Sequence, residues 1–127
     1  MKILKFGGTS VGNPERMHQV AKIVTGDPED KIIVLSALSG TTNALVTIGE
    51  KLGEGKPEEA AAHIEDLFNH YLEFHTGLLD TAEAQNKARQ VIDHHFDSIR
   101  KLADTPFDEL HSKELLAQGE LLSTNLF

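Results

Sequence analysis

Residues 2–10, KILKFGGTS, and residues 31–43, KIIVLSALSGTTN, each place a short apolar run directly before a loop rich in glycine and hydroxyl side chains. The apolar residues run on continuously instead of alternating, which is typical of parallel strands covered on both faces. The sequence therefore predicts two buried strands, from Lys2 to Phe6 and from Lys31 to Ala37. Because open α/β sheets bind ligands at the carboxyl edge of their strands, we expect both loops to lie at that edge.

The segment between the two strands predicts a helix. Asn13 suits the N-cap position, Pro14 suits the first helical turn, and Gly26 suits the end. Apolar residues recur between them at helical spacing: Met17, Val20, Ala21 and Val24. The first third of the chain is thus predicted to be a strand-helix-strand unit with parallel strands.

The pattern after the second strand is helical to the end of the chain. One helix is predicted from about Thr42 to Leu52, and apolar stripes over residues 60–74 and 88–102 predict a helical hairpin. We interpret this hairpin, within residues 54–110, as a structural arm or interaction surface attached to the sheet. Two parallel strands do not make a stable sheet alone, so the 127 residues are expected to be part of a longer fold.

Composition and charge exclude several classes of protein. The chain has no cysteine and a net charge of -8. The missing cysteine excludes disulfide frameworks and thiolate catalysis. The acidic balance argues against nucleic-acid binding, which needs a basic face. No segment approaches the roughly 20 apolar residues that span a bilayer, so no membrane association and a cytoplasmic location are expected.

Lys5 and the glycines after it are the first candidate functional residues. An ammonium group inside a buried strand is costly unless it meets an anion. Gly7 and Gly8 would let the backbone approach phosphate oxygens closely. A surface lysine before an ordinary Gly-Gly turn is the alternative. The loop is not a P-loop, because Asn13-Pro14 stands where the Walker A motif has lysine and a hydroxyl residue.

The second loop contains Ser36 and Thr42, whose hydroxyls, with the N–H groups of the following helix, suit a carboxylate or a phosphate. Taken by itself, this loop is better explained by helix N-capping through Thr41 or Thr42. Two such loops after neighbouring parallel strands favour a shared anion site.

Glu120 shares a predicted helical face with Leu116 and Ser123, which suggests a partly buried carboxylate that could hold an ammonium group. A surface glutamate or half of a salt bridge is the alternative. No metal site is predicted, because the adjacent His94 and His95 point to different helix faces and no His-Glu-x-x-His motif occurs.

Three segments of the chain resemble the aspartokinase family. Residues 5–11, KFGGTSV, resemble its opening signature, residues 34–43 its second block, and residues 118–123, QGELLS, its third. The resemblance implies a three-layer αβα sandwich of the amino-acid kinase type. The chain, residues 1–127, would be the N-terminal portion of that catalytic domain, without the nucleotide-binding half and the regulatory ACT domains.

The resemblance also implies an activity, the transfer of the γ-phosphoryl group of ATP to the side-chain carboxylate of L-aspartate, the first step toward lysine, threonine and methionine. Four residues would bind ATP and its phosphates, with the first as the catalytic residue: Lys5, Gly7, Gly8 and Thr9. Three residues would bind aspartate: Ser36, Thr42 and Glu120. Magnesium would arrive with the nucleotide, and the full-length enzyme would be a homo-oligomer. The isolated 127 residues are expected to be inactive.

Two alternatives stay open at this point. Another member of the amino-acid kinase family, with a different acceptor, would use Lys5 and the glycines equally well. A non-catalytic helical module, in which the arm from Pro57 to Leu102 mediates association, would make the Gly-Gly turn incidental. Only the residues of a site, not the fold, can separate these functions.

Overall fold

The computed structural model describes all 127 residues, which form two strands and five helices. In chain order the elements are β1 (Lys2–Phe6), α1 (Pro14–Thr25), β2 (Lys31–Leu35), α2 (Thr41–Gly53), α3 (Pro57–Leu78), α4 (Ala82–Ala103) and α5 (Glu109–Leu126). The predicted α/β class is confirmed, with a chain that is mostly helical. None of the helices combines the length and hydrophobicity that a membrane span requires.

The first three elements form the predicted strand-helix-strand unit. β1 and β2 pair in parallel, with Phe6 opposite Leu35 at their carboxyl ends. The side chain of Asn13 caps α1 by accepting a hydrogen bond from a backbone N–H of the first turn, and Gly26 forms the C-cap. β2 ends at Leu35, two residues before the predicted Ala37, and the second loop follows from Ser36.

The two-stranded sheet is covered on one face only. Leu35 is buried in the core, whereas Ile3, Ile32 and Val34 on the other face are 69%, 47% and 42% exposed. The expectation of strands buried on both faces is therefore wrong within these residues. The reason is that no helix of the chain packs against the second face.

The helices enclose a common core. α3 packs against α1, α2 and α4, and α5 packs against α2 and α4. Edge-to-face aromatic pairs lie inside it, with ring centroids 5.6 Å apart for Tyr71 and Phe96 and 5.2 Å apart for Phe68 and Phe96. The predicted helical hairpin, α3 and α4, is confirmed. It is more than an attachment to the sheet, because its apolar stripes close the core together with α2 and α5.

Candidate functional site

The loops that follow β1 and β2 touch each other at the carboxyl edge of the sheet. The backbone N–H of Ser36 donates to the carbonyl oxygen of Phe6 at 3.0 Å, which extends the strand ladder into the loops. A Cβ atom on Gly8 would lie only 3.0 Å from the carbonyl oxygen of Ala37. The expected meeting of the two loops is confirmed. It also assigns Gly8 a packing role, since a larger residue would push the loops apart.

Lys5 lies on the uncovered face of the sheet and is exposed. It stands opposite Val34 in the strand register, beside the exposed Ile3. Its ammonium group makes no hydrogen bond or ion pair. The prediction that Lys5 is buried inside the strand is wrong, because that face has no covering element. The side chain is instead a free cation, two residues before Gly7 at the start of the glycine loop.

Gly7 and Thr9 are exposed in the first loop, and no atom lies near the position that a Cβ of Gly7 would take. The Arg16 guanidinium donates from Nη1 to the carbonyl oxygen of Thr9 at 3.0 Å. Residues of the loop and of α1, Arg16 among them, line an open depression of about 370 Å³. The sequence reasoning missed Arg16. Its position in the first turn of α1, three residues after the N-cap Asn13, is the only signal that could have indicated it.

Gly40 is the N-cap of α2 and has φ 85°, a left-handed conformation that favours glycine. Neither Thr41 nor Thr42 caps the helix with its side chain, so the N-capping explanation of this loop is wrong. Thr42 is exposed in the first turn, where backbone N–H groups lack intrahelical partners. The loop therefore presents a free hydroxyl and helix N–H donors to solvent.

Thr41 points into the protein. Its Oγ1 lies 2.8 Å from the hydroxyl oxygen of Tyr71 on α3, and both residues are buried. Burial raises the pKa of Tyr71 to about 12, the hydrogen bond with Thr41 lowers it, and the negative charge of Glu120 raises it further. The hydroxyl pair is therefore neutral at physiological pH, with the Glu120 carboxylate near enough to act on it.

α5 joins the second loop through two neighbouring contacts. The Ser123 hydroxyl donates to the carbonyl oxygen of Ser36 at 2.7 Å. Gly119 is buried against the loop, where a Cβ atom would lie 3.0 Å from Cβ of Ala37. These contacts place the part of α5 around Gly119 and Ser123 beside the second loop, although α5 lies far along the chain.

Glu120 itself is exposed and forms no ion pair. The prediction that its carboxylate is partly buried is wrong, because Leu122 and Ser123 take the buried side of the helix while Glu120 lies on the exposed side. It is a free anion close to the second loop.

The predicted site residues thus fall into two groups. Lys5, Gly7, Gly8 and Thr9 lie at the end of β1 and in the loop after it, and Ser36, Thr42 and Glu120 lie around the second loop. The first group presents a cation and open backbone, and the second presents hydroxyls, helix N–H donors and a carboxylate. Thr41, Tyr71 and Gly119, which the sequence patterns did not indicate, pack against one another beside the second group.

No family model matches the chain. Lysine-sensitive aspartokinase 3 of Escherichia coli is 33% identical over 128 residues, covering 98% of this chain and 27% of that protein. The chloroplastic aspartokinase 3 of Arabidopsis thaliana is 36% identical over 134 residues, covering 98% of this chain and 22% of the relative. The chain therefore spans about a quarter of the length of the curated relatives it matches.

Solved structures of E. coli aspartokinase III resemble this fold. The T-state complex with lysine and aspartate superposes with a TM-score of 0.81 at 32% identity, covering 99% of this chain and 27% of that one. The R-state complex with aspartate and ADP superposes with a TM-score of 0.76 at 33% identity and the same coverage. The similarity extends across both loops and all five helices of the chain, because it covers almost every residue.

Proposed function

We propose, from the homology of this chain with aspartokinases over 98% of its length, that it is the N-terminal part of an aspartokinase catalytic domain. The complete domain would be an αβα sandwich that transfers the γ-phosphoryl group of ATP to the side-chain carboxylate of L-aspartate. The observation that carries the proposal is the contact of the two strand-end loops. It brings the glycine loop next to the hydroxyl-rich loop at the edge of the sheet, and Lys5 lies on β1 two residues before Gly7.

The first loop supplies the phosphate side of the proposed site. Phosphoryl transfer requires mainly that the protein position two anionic reactants and stabilise their charge. Lys5 suits this role because its ammonium group has no partner in the protein and the residue lies two positions before the open backbone of Gly7. Gly8 and Thr9 continue the same loop. Magnesium would come with ATP and neutralise part of the phosphate charge.

The second loop and α5 supply the aspartate side. The Thr42 hydroxyl and the N–H groups of the first turn of α2 suit a carboxylate, since a helix N-terminus favours negative charge. Ser36 follows β2 directly and is tied to α5 through Ser123. Glu120 is an unpaired carboxylate nearby, which suits the ammonium group of an amino acid. An acceptor that carries both a carboxylate and an ammonium group would therefore suit Ser36, Thr42 and Glu120.

The uncovered face of the sheet agrees with a chain that forms part of a larger domain. The exposed Ile3, Ile32 and Val34 would be covered by further elements of a sandwich. The nucleotide-binding half would also lie in those elements. We propose a cytoplasmic enzyme of lysine, threonine and methionine biosynthesis on the same basis of homology.

The test is a kinase assay on the protein encoded by the complete reading frame. ADP release should require both ATP and L-aspartate, and hydroxylamine should trap an acyl phosphate of aspartate. Glutamate and other amino-acid kinase acceptors serve as controls. Turnover with one of these acceptors but not with aspartate would favour another member of the amino-acid kinase family, and no turnover with any acceptor would refute the kinase function.

The 127-residue chain alone should release no ADP above background in the same assay. The reason is that, in the proposed domain, the nucleotide would be held by elements outside these two strands and five helices. Sustained aspartate-dependent turnover by the isolated chain would contradict its assignment as an incomplete domain.

A further inference from the structure

A buried hydrogen bond joins the first residue of α2 to the middle of α3. The Oγ1 atom of Thr41 lies 2.8 Å from the hydroxyl oxygen of Tyr71, and the two residues are 1% and 0% exposed. A buried polar pair of this kind is costly to break, because the group left behind loses its partner away from water. The hydrogen bond therefore fixes the position of Thr41 relative to Tyr71.

Thr41 also lies where α5 approaches α2, beside Ala37, whose Cβ atom would be 3.0 Å from a Cβ on Gly119. A Cβ atom on Gly119 would lie 3.3 Å from Cγ2 of Thr41 and 3.4 Å from Cδ1 of Leu45. A methyl group at position 119 would therefore crowd these side chains, and α5 packs directly against the Thr41 methyl group. One threonine is consequently the meeting point of three helices, bonded to α3 and in contact with α5.

The residues that follow these two contact positions are two of the proposed aspartate ligands. Thr42 follows Thr41 on α2, and Glu120 follows Gly119 on α5. Both are exposed, while the residues before them are buried. A rotation or shift of Thr41 would therefore displace the Thr42 hydroxyl and the Glu120 carboxylate relative to each other. The charge of Glu120 also acts on the Tyr71 hydroxyl, in agreement with their proximity.

We propose that the hydrogen bond between Thr41 and Tyr71 positions the aspartate subsite by holding the start of α2 against α3 and α5. Tyr71 and Thr41 are positioning residues, since both are buried and would act only through Thr42 and Glu120. The inference rests on the proposed function, because Thr42 and Glu120 act on aspartate only if the protein is an aspartokinase. It extends that function by linking the helical hairpin to recognition of the acceptor.

The test uses three variants of the protein from the complete reading frame. Thr41→Val keeps the shape of the side chain and removes the hydroxyl, Thr41→Ser keeps the hydroxyl and removes the methyl group, and Tyr71→Phe keeps the ring and removes its hydroxyl. Thr41→Val and Tyr71→Phe should raise the KM for aspartate about tenfold, equivalent to about 1.4 kcal/mol. The KM for ATP should change less than about twofold. Thr41→Ser keeps the hydrogen bond and loses only the methyl contact with α5, so it should raise the KM for aspartate clearly less than Thr41→Val or Tyr71→Phe.

The double variant Thr41→Val with Tyr71→Phe separates positioning from general destabilisation. Because both changes break the same hydrogen bond, its KM for aspartate should be no higher than that of the worse single variant. Multiplying effects, or equal increases in the KM for aspartate and ATP, would overturn the inference. If Thr41→Val does not fold, the KM for aspartate of Tyr71→Phe is compared with that of Thr41→Ser. The inference requires the larger increase in Tyr71→Phe, and equal increases would overturn it.

The outcomes also distinguish this inference from the proposed function. An active wild-type enzyme whose KM for aspartate is unchanged in Tyr71→Phe refutes the positioning role and leaves the kinase assignment standing. A wild-type protein without aspartate-dependent turnover refutes the proposed function, and the positioning role with it.

Discussion

Tyr71 should keep its proton to an unusually high pH in the folded chain. Burial raises the pKa of its hydroxyl from the ordinary 10.0 to about 12, outweighing the opposite effect of the hydrogen bond with Thr41. A difference of roughly two pH units, at about 1.36 kcal/mol per unit, corresponds to about 3 kcal/mol. Loss of that proton should therefore be coupled to unfolding.

The sign of the effect follows from which state holds the proton. Below about pH 10 the hydroxyl is protonated in the folded and the unfolded chain, and the associated stability is fully present. Between about pH 10 and 12 the unfolded chain loses the proton that the folded chain keeps. The free energy of unfolding should consequently fall by about 3 kcal/mol over this range.

The chain allows a direct assay, because Tyr71 is its single tyrosine and it has no tryptophan. Ultraviolet absorbance of the tyrosinate should show a midpoint near 12, or one that coincides with the loss of helical circular dichroism. The Tyr71→Phe variant is the matched control. Between about pH 10 and 12 its free energy of unfolding, measured with denaturant, should not show this loss of about 3 kcal/mol. A tyrosinate midpoint near 10 while the circular dichroism of the folded chain is retained would refute the reasoning.

The remaining predictions concern residues of the proposed site and its packing. In the protein from the complete reading frame, Lys5→Met should lower kcat by a factor of about 10² to 10³. Lys5→Arg should restore little of this activity, because a planar guanidinium does not replace a compact ammonium group. A near-normal kcat in a folded Lys5→Met enzyme would exclude a catalytic role. Glu120→Gln should raise the KM for aspartate more than that for ATP in steady-state kinetics. In the isolated chain, the same change should alter the free energy of unfolding by less than about 0.5 kcal/mol, since Glu120 is exposed and unpaired. Gly119→Ala should cost about 1 to 3 kcal/mol in urea unfolding, because its Cβ would lie 3.0 Å from that of Ala37. Gly53→Ala is the matched control, because a Cβ atom at Gly53 would have no atom within 4 Å. This change should be neutral or stabilise the chain by up to about 1 kcal/mol. Equal effects on the free energy of unfolding at Gly119 and Gly53 would contradict the close packing of α5.

Local signals in the sequence were sufficient to predict the elements and their order. The N-cap Asn13 with Pro14 and the C-cap Gly26 mark the ends of α1, because capping depends on residues within one turn of the helix end. The apolar stripes of α3 and α4 likewise predicted the hairpin, since helical periodicity is a property of neighbouring residues. The meeting of the two glycine- and hydroxyl-rich loops followed from the parallel pairing of β1 and β2.

Burial of the candidate site residues could not be predicted in the same way. The continuous apolar pattern of β1 predicted a buried Lys5, and the apolar neighbours of Glu120 predicted a partly buried carboxylate, yet both side chains are exposed. A pattern indicates which residues share a face, but exposure depends on whether another element covers that face. No element of this chain covers the outer face of the sheet, as the exposed Ile3 and Ile32 make plain.

The sequence by itself determined the strand-helix-strand unit, the hairpin and the composition of the two loops, because each depends on residues close together in the chain. Only the tertiary structure decided which residues hold the second loop in place. Thr41 and Tyr71 are 30 positions apart, and Ser36 and Ser123 are 87 apart. Threonine, tyrosine and serine are common in helices and loops for many reasons, and nothing local distinguishes these four. Their pairing arises where α2, α3 and α5 pack together, and packing between distant segments is set by the whole core at once.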